Sequence, residues 1–286
     1  MSEPGYLGVD LGGSQLRMAA VNGDGTLASE VLTVATGRDF GPEQLEQEVK
    51  RLRDRLAEQL SPRPIAGLGF GTAGVVRPGP LSQSSNLPRL NGHDIGAIVQ
   101  RTSPFPVSIE NDARCFTLAE ARFGAARGAR HVFGITLGTG VGSGVMVDGR
   151  LFRGSSHEAG EVWAIPLREG RLEDSVSGAG VVRFYRAAGG ARADTTAADL
   201  AAAARAGDAQ ALAAWESFGR DVGFLCMCAL TFLDPHLIVI GGSLAKARDL
   251  FDAPLRALGS GRLSRVVYSA LGPPSGLIGA AALTMP

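Results

Sequence analysis

One short plan occurs twice in this chain, and it limits the possible folds more than any other feature. A β-type run from Leu7 to Asp10 ends in Leu11-Gly12-Gly13-Ser14 and returns from Gln15 to Val21. It turns at Asn22-Gly23-Asp24-Gly25 and runs on from Leu27 to Val34. The same order recurs as His131 to Leu137, Gly138-Thr139-Gly140-Val141-Gly142, Ser143 to Val147, Asp148-Gly149 and Arg150 to Phe152. Asn-Gly and Asp-Gly are strong hairpin signals. A β-unit used twice predicts two similar α/β lobes facing each other across a cleft, each offering a glycine turn to whatever lies between. Length agrees, because 286 residues exceed what one hydrophobic core usually organises.

Glycines in such turns let backbone N–H groups approach an anion closely, and Ser14 and Thr139 add hydroxyl donors. The alternative is a pair of hairpin turns that need glycine only for positive φ. Duplication, with Asp10 before the first turn and Thr136 before the second, favours two phosphate clamps closing on a nucleoside triphosphate. Asp10 would then hold Mg²⁺ through water, since that ion keeps several waters and few carboxylates. No Gly-x-x-x-x-Gly-Lys-Ser/Thr loop is present. Gly69-Phe70-Gly71-Thr72-Ala73-Gly74 matches a dinucleotide pattern, but Val75-Val76-Arg77-Pro78-Gly79-Pro80 cannot continue as the required helix.

Val107-Ser108-Ile109-Glu110 is an apolar strand that delivers Asn111 and Asp112 to the start of an Ala-rich helical pattern. Such a junction holds a carboxylate rigidly while letting it face a cleft, where it serves as general base toward a hydroxyl. Asp and Asn are equally good helix N-caps, and both readings stand for this pair. The loop from Gly71 to Gly92 places Asn86 and Asn91 as ligands for a hydroxylated molecule or as turn formers. Carboxylates at Glu161 and Glu173 lie in loops after the second hairpin, where they suit sugar hydroxyls or are merely solvated. Pro42 to Leu60 reads as an amphipathic helix, Thr195 to Leu233 as an Ala-rich helical region, and Gly276 to Leu283 as a short apolar helix that needs a cover. The strand from His236 to Ile240 ends in Gly241-Gly242, a turn that would pass close to an adenosine.

Lys+Arg 28 balances Asp+Glu 28, which gives no electrostatic reason to expect a nucleic-acid or membrane partner. The N-terminus lacks the basic and apolar regions of a signal peptide, and the longest apolar run, Phe224 to Leu233, is too short to span a bilayer. A cytoplasmic chain is expected. Cys115, Cys226 and Cys228 sit in apolar helical patterns and are expected to be reduced.

With these elements in hand, the chain resembles the ROK family of sugar kinases and related repressors. The resemblance rests on Asp10-Leu11-Gly12-Gly13-Ser14, Asn86-Leu87-Pro88, Glu110-Asn111-Asp112-Ala113, Leu137 to Gly142, Ala159-Gly160-Glu161, Leu172-Glu173 with Ser177-Gly178, Ala204 to Asp208, and Ile240-Gly241-Gly242. It implies a two-lobed actin-like and hexokinase-like ATPase fold of duplicated ribonuclease H-like domains with an inter-lobe cleft. Residues 1–112 plus 275–286 would form the sugar and phosphate lobe, and residues 113–274 the nucleotide-binding and dimerisation lobe. The implied activity is ATP- and Mg²⁺-dependent phosphorylation of a sugar, usually at the 6-hydroxyl of a hexose. Asp112 resembles the catalytic base, and Asn86, Asn111, Glu161 and Glu173 resemble sugar ligands. Gly12, Gly13 and Ser14 match the first phosphate loop, Gly138, Thr139 and Gly140 the second, and Gly241 and Gly242 the nucleoside edge. A homodimer is implied as well.

The departures concern one loop. Ala164 occupies the position of a histidine that in this family binds sugar and zinc, Trp163 replaces a glycine, and Pro166 to Arg171 replaces a cysteine cluster. No zinc is expected, and glucose as the acceptor is not assured; N-acetylhexosamine and fructose are alternatives. His157 stands where the family commonly has glycine, either as a compensating ligand or as a solvated loop residue. A non-catalytic sugar-sensing regulator is the competing class. Family repressors carry an N-terminal helix-turn-helix domain, for which the residues before Tyr6 leave no room.

Overall fold

The computed structural model describes residues 3–74, 76–77, 79–81, 84, 86–259 and 261–286. Val75 and Pro78, in the stretch expected not to continue as a helix, lie outside the described residues, as do Met1 and Ser2. The first half contains β1 (Gly5–Leu11), β2 (Gln15–Val21), β3 (Leu32–Ala35), α1 (Pro42–Leu60), β4 (Ile65–Thr72), α2 (Ile95–Thr102), β5 (Val107–Asn111) and α3 (Asp112–Arg122). The second contains β6 (Val132–Leu137), β7 (Val141–Val147), β8 (Arg150–Leu151), the two-residue strands β9 (Pro166–Leu167) and β10 (Gly170–Arg171), α4 (Gly178–Ala187), α5 (Ala197–Arg205) and α6 (Ala209–Phe232). It closes with β11 (Leu237–Gly241), α7 (Arg248–Ala257), β12 (Val266–Tyr268) and α8 (Ser275–Ala282).

The expected duplication is a duplication of whole sheets. One five-stranded sheet has the order β3-β2-β1-β4-β5 and the other β12-β11-β6-β7-β8, the same topology read from opposite edges. In both, the first three strands are antiparallel and the last two add in parallel. Local chemistry accounts for the elements. Pro42 opens α1 with its fixed φ, and Gln44 accepts the free N–H of Gly41 at 2.9 Å. Leu45, Val49, Leu52, Leu56 and Leu60 then share the buried face, each worth about 1.5–3 kcal/mol of burial. The third strand starts later than the expected Leu27. Leu27 makes only an isolated bridge to Val21, and Ser29 Oγ takes the N–H of Ala20, so the ladder resumes at Leu32.

Each sheet is covered by the helix into which the other sheet leads. Helix α3, entered from β5, packs on β6 and β7; helix α8, entered from β12, packs on β1 and β4; and the two helices pack on each other. This crossed arrangement requires missing side chains. A Cβ on Gly8 would lie 2.1 Å from the Leu277 carbonyl oxygen, and one on Gly69 would lie 1.6 Å from that of Ala280. One on Gly279 would lie 1.7 Å from the Cys115 carbonyl oxygen, so α8 and α3 touch backbone to backbone there. The tail helix expected to need a cover thus has one on both sides.

Candidate active site

The strand-to-helix junction resolves the competition between cap and base by giving the two jobs to different residues. Asn111 is the N-cap of α3: its Oδ1 accepts the N–H groups of Ala113 at 2.9 Å and Arg114 at 3.2 Å, while its Nδ2 donates to the Gly74 carbonyl at 3.1 Å. Asp112 is therefore the first helical residue, with Oδ1 accepting from the Ala113 N–H at 2.9 Å. Burial, and then the nearby charge of Asp10, push the Asp112 carboxyl up to about 6, with Glu161 adding further repulsion. Asp10, from β1, and Glu161, from a loop of the second half, thus both act on the Asp112 carboxyl at the start of α3. Asp10 is itself ion-paired with Arg17, its partner across the β1–β2 ladder.

Beneath these carboxylates lies a buried ionic network absent from the sequence-based expectations. Glu110 and Arg114 are both 1 % exposed and pair at 3.1 Å, and Glu110 also receives Arg153 Nε at 2.5 Å. Arg114 Nη2 donates to the carbonyls of His157 at 2.7 Å and Ala159 at 3.2 Å, and approaches Glu161 Oε1 at 3.4 Å. One guanidinium therefore fixes the loop that presents Glu161. His157 holds a left-handed φ of 62° in this loop, a conformation uncommon outside glycine. The other oxygen of Glu161 accepts the indole N–H of Trp163 at 2.8 Å, and burial raises its carboxyl above the ordinary range. The four-residue spacing of Glu110 and Arg114 was the available signal, the usual one for an ion pair on a helix, here straddling the strand end.

Neither glycine turn owes its glycines to positive φ. Gly12, Gly13, Gly138, Gly140 and Gly142 all keep φ outside the left-handed region, and at Gly13, Gly140 and Gly142 neighbouring side chains leave no room for a Cβ. A Cβ on Gly13 would meet Asn86 Cβ at 2.5 Å, which sets exposed Asn86 directly against the first turn. Thr36 secures that turn by donating from its hydroxyl to the Gly12 carbonyl at 2.9 Å, and Ser14 is exposed beyond it. At the second turn Glu173 Oε2 accepts the Val141 N–H at 3.1 Å, and a Cβ on Gly140 would meet that oxygen at 2.3 Å. Glu173 thus sits on the second turn, whereas Glu161 sits with Asp112.

A cavity of about 350 Å³ adjoins the second turn, lined by Gly138, Thr139, Gly178, Ser243 and Lys246 and by apolar residues of α5 and α6. The starts of α4 and α5, where Ser177 accepts the Gly180 N–H and Thr196 that of Asp199, line the same cavity through Gly178 and Thr196. Gly241 and Gly242 both have packing reasons: a Cβ on Gly241 would meet the Phe116 ring at 2.4 Å, and Gly242 has φ 88° with the Leu137 carbonyl 2.2 Å from any Cβ. The residues that line the cavity begin one position later, at Ser243. A larger cavity of about 600 Å³ runs along β5 and α2, lined by Thr72, Arg77, Glu110, Arg153 and His157 among others. It adjoins the buried network and takes in His157, weighed from the sequence as a compensating ligand, but none of Asn86, Asn111, Asp112, Glu161 or Glu173.

Where a cysteine cluster would be, the chain makes the β9–β10 hairpin. Arg168 at its tip, with φ 55°, pairs bidentately with buried Asp221 of α6 at 2.7 Å for each bond. The three cysteines are free, and burial pushes the Cys226 thiol up to about 12 and that of Cys115 well above its ordinary range. Among the described residues no helix is long and apolar enough to cross a membrane.

Known proteins resemble this chain over most of its length. N-acetylgalactosamine kinase AgaK of Shewanella sp. (strain ANA-3) is 30% identical over 272 residues, covering 87% of this chain and 84% of that protein. The ROK hexokinase of Thermus thermophilus superposes with a TM-score of 0.84 at 27% identity, covering 98% of this chain and 97% of the other. The ROK family glucokinase of Streptomyces griseus, solved in complex with glucose and AMPPNP, superposes with a TM-score of 0.80 at 25% identity and 98% coverage of both chains. The expected two-lobed actin-like and hexokinase-like fold is the one these structures share. Matched by the ROK family profile over residues 6–285 and folded as those kinases are, the chain belongs to the ROK family.

Proposed function

We propose that this protein is an ATP-dependent sugar kinase that transfers the γ-phosphoryl group to a hydroxyl of a hexose, the 6-hydroxyl of glucose or of a related sugar. The observation that carries the reading is the Asp112 carboxyl, held at the rigid start of α3 between Asp10 and Glu161 and pushed up to about 6. A base of that strength is deprotonated at neutral pH and still takes up a proton readily. In the proposed step the acceptor oxygen attacks the γ-phosphorus as its proton passes to Asp112. The bond from the γ-phosphorus to the bridging oxygen breaks, and ADP leaves. Asn86, Asn111, Glu161 and Glu173 orient the sugar, and the relatives' names extend the candidate acceptors to N-acetylhexosamines.

The turns at Gly12 to Ser14 and Gly138 to Gly140 grip the phosphates through backbone N–H groups, and the cavity beside the second turn receives the nucleoside, with Gly241 and Gly242 leading into its wall at Ser243. Among the described residues no three Asp, Glu, His or Cys side chains converge to hold an ion directly, so the fit is for a cation that keeps its waters beside Asp10. Asp10 would hold Mg²⁺ through water, and the ion would neutralise charge on the transferring phosphoryl group. We assign residues 1–112 plus 275–286 to the sugar and phosphate lobe and residues 113–274 to the nucleotide lobe of a cytoplasmic homodimer. Sugar-dependent ADP release across glucose, fructose, N-acetylglucosamine and N-acetylgalactosamine tests the function. At least one sugar should stimulate release, and Asp112→Asn should lower turnover by at least about 10²-fold. A panel that gives no stimulation would favour the sugar-sensing regulator instead.

A further inference from the structure

Both oxygens of the Glu161 carboxylate already have protein donors. Arg114 Nη2 stands 3.4 Å from Oε1, and the indole N–H of Trp163 donates to Oε2 at 2.8 Å. An ionised carboxylate has about four lone-pair sites, so accepting capacity is left over, and the side chain is 18 % exposed and open to a ligand. Trp163 is itself fixed from two sides. It lies on the short 3₁₀ turn Val162–Ala164 that directly follows Glu161, and its half-buried ring packs against the apolar core of the second half. The Arg171 guanidinium covers the ring at 5.3 Å from its centre. Arg171 ends β10 and leads directly into Leu172 and Glu173, so one indole ties the loop of Glu161 to the segment that carries Glu173. A phenylalanine would offer the same core and cation contacts. What tryptophan adds is a donor, and Glu161 receives it.

We propose that Trp163 is a positioning residue for recognition of the acceptor sugar: by donating to one oxygen of Glu161 it holds that carboxylate beside Asp112 in the orientation that accepts the sugar's hydroxyl protons. The proposal rests on the sugar-kinase reading given above. A tethered carboxylate has less rotamer freedom to lose when a ligand binds. The indole bond and the Arg114 charge also favour the ionised, acceptor-only form, against burial and the charges of Glu158 and Glu110. Trp163 therefore acts on sugar affinity and leaves the proton transfer to Asp112 untouched.

Trp163→Phe keeps the ring and removes the donor. With whichever of glucose, fructose, N-acetylglucosamine and N-acetylgalactosamine stimulates ADP release, it should raise KM about tenfold, the loss of one hydrogen bond to a charged group, and leave kcat within about twofold. In a Glu161→Ala background the same substitution should change KM by less than about twofold, because its effect passes through the carboxylate. In Asp112→Asn protein, where position 112 no longer titrates, calorimetric sugar affinity should fall as Glu161 protonates, and adding Trp163→Phe should move that fall to higher pH. An unchanged KM, or an equal rise in KM with and without Glu161, overturns the proposal. No stimulation of the unsubstituted protein by any of the four sugars would instead remove the sugar-kinase reading itself. If Trp163→Phe does not fold, ¹⁵N-tryptophan labelling decides: the chain has two tryptophans, so Trp215→Phe protein shows the Trp163 indole N–H alone. That resonance should move on saturation with the active sugar, and one that stays in place overturns the proposal.

Discussion

The junction from β5 into α3 and the junction from β12 into α8 occupy the same place in two sheets of identical topology, yet only one of them is built for chemistry. The first reads Glu110-Asn111-Asp112-Ala113-Arg114, with a side-chain cap, a carboxyl raised to about 6 and a buried ion pair. The second reads Ser269-Ala270-Leu271-Gly272-Pro273-Pro274, has no charged side chain and enters α8 without a side-chain cap. Its order is supplied from outside. Buried Glu120 of α3 accepts the N–H groups of Ala270 and Leu271 at 3.2 Å each and the hydroxyl of Ser269. A strand-to-helix corner therefore supplies rigidity in both halves, and function is decided by which charges are set on it.

The largest effect that would break this contrast is at Arg114. Arg114→Met leaves Glu110 buried beside one partner and frees the His157–Glu161 loop, so stability should fall by about 3–5 kcal/mol in urea unfolding. A loss below about 1 kcal/mol would mean that the first corner needs no ionic frame. Asp112→Asn sharpens the contrast in the opposite direction. Above pH about 6 the folded protein must keep a buried, repelled carboxylate charged, whereas the unfolded chain ionises that group near 3.8. The variant should therefore be more stable than the parent by up to about 3 kcal/mol at pH 8. The advantage should shrink below pH 6, as the folded carboxyl protonates, and vanish below about 4. Equal stability at pH 8 would show that Asp112 bears no such strain. The smallest effect is expected at the counterpart corner. Glu120→Gln retains one acceptor oxygen there and should cost about 1–3 kcal/mol while turnover is kept. Lost turnover with normal stability would give the second corner a chemical role that its sequence lacks.

Much of this was legible along the chain because local rules govern it. The Pro42–Leu60 helix follows from a five-leucine-type stripe and a proline start, and the repeated glycine turns announced the paired sheets. Asn111 and Asp112 were found as a pair, but their division into cap and free carboxylate depends on which oxygen reaches which amide. Arg114 was passed over because an arginine in an Ala-rich helix start reads as solvated; only the fold brings the His157 and Ala159 carbonyls to it. Gly8, Gly69 and Gly279 looked like ordinary strand and helix glycines, since the backbones that exclude a Cβ there belong to elements distant in sequence. The loop glutamates were visible, but not that Glu161 joins Asp112 while Glu173 sits on the second turn.

By itself the sequence determined the elements, the duplication and the types of reactive group present, because periodicity, capping and turn chemistry act over a few residues. The tertiary structure alone decided which carboxylates repel one another and which arginine is buried. Charge coupling and desolvation depend on distances through space, and the crossed packing of α3 and α8 sets those distances between residues that the chain keeps far apart.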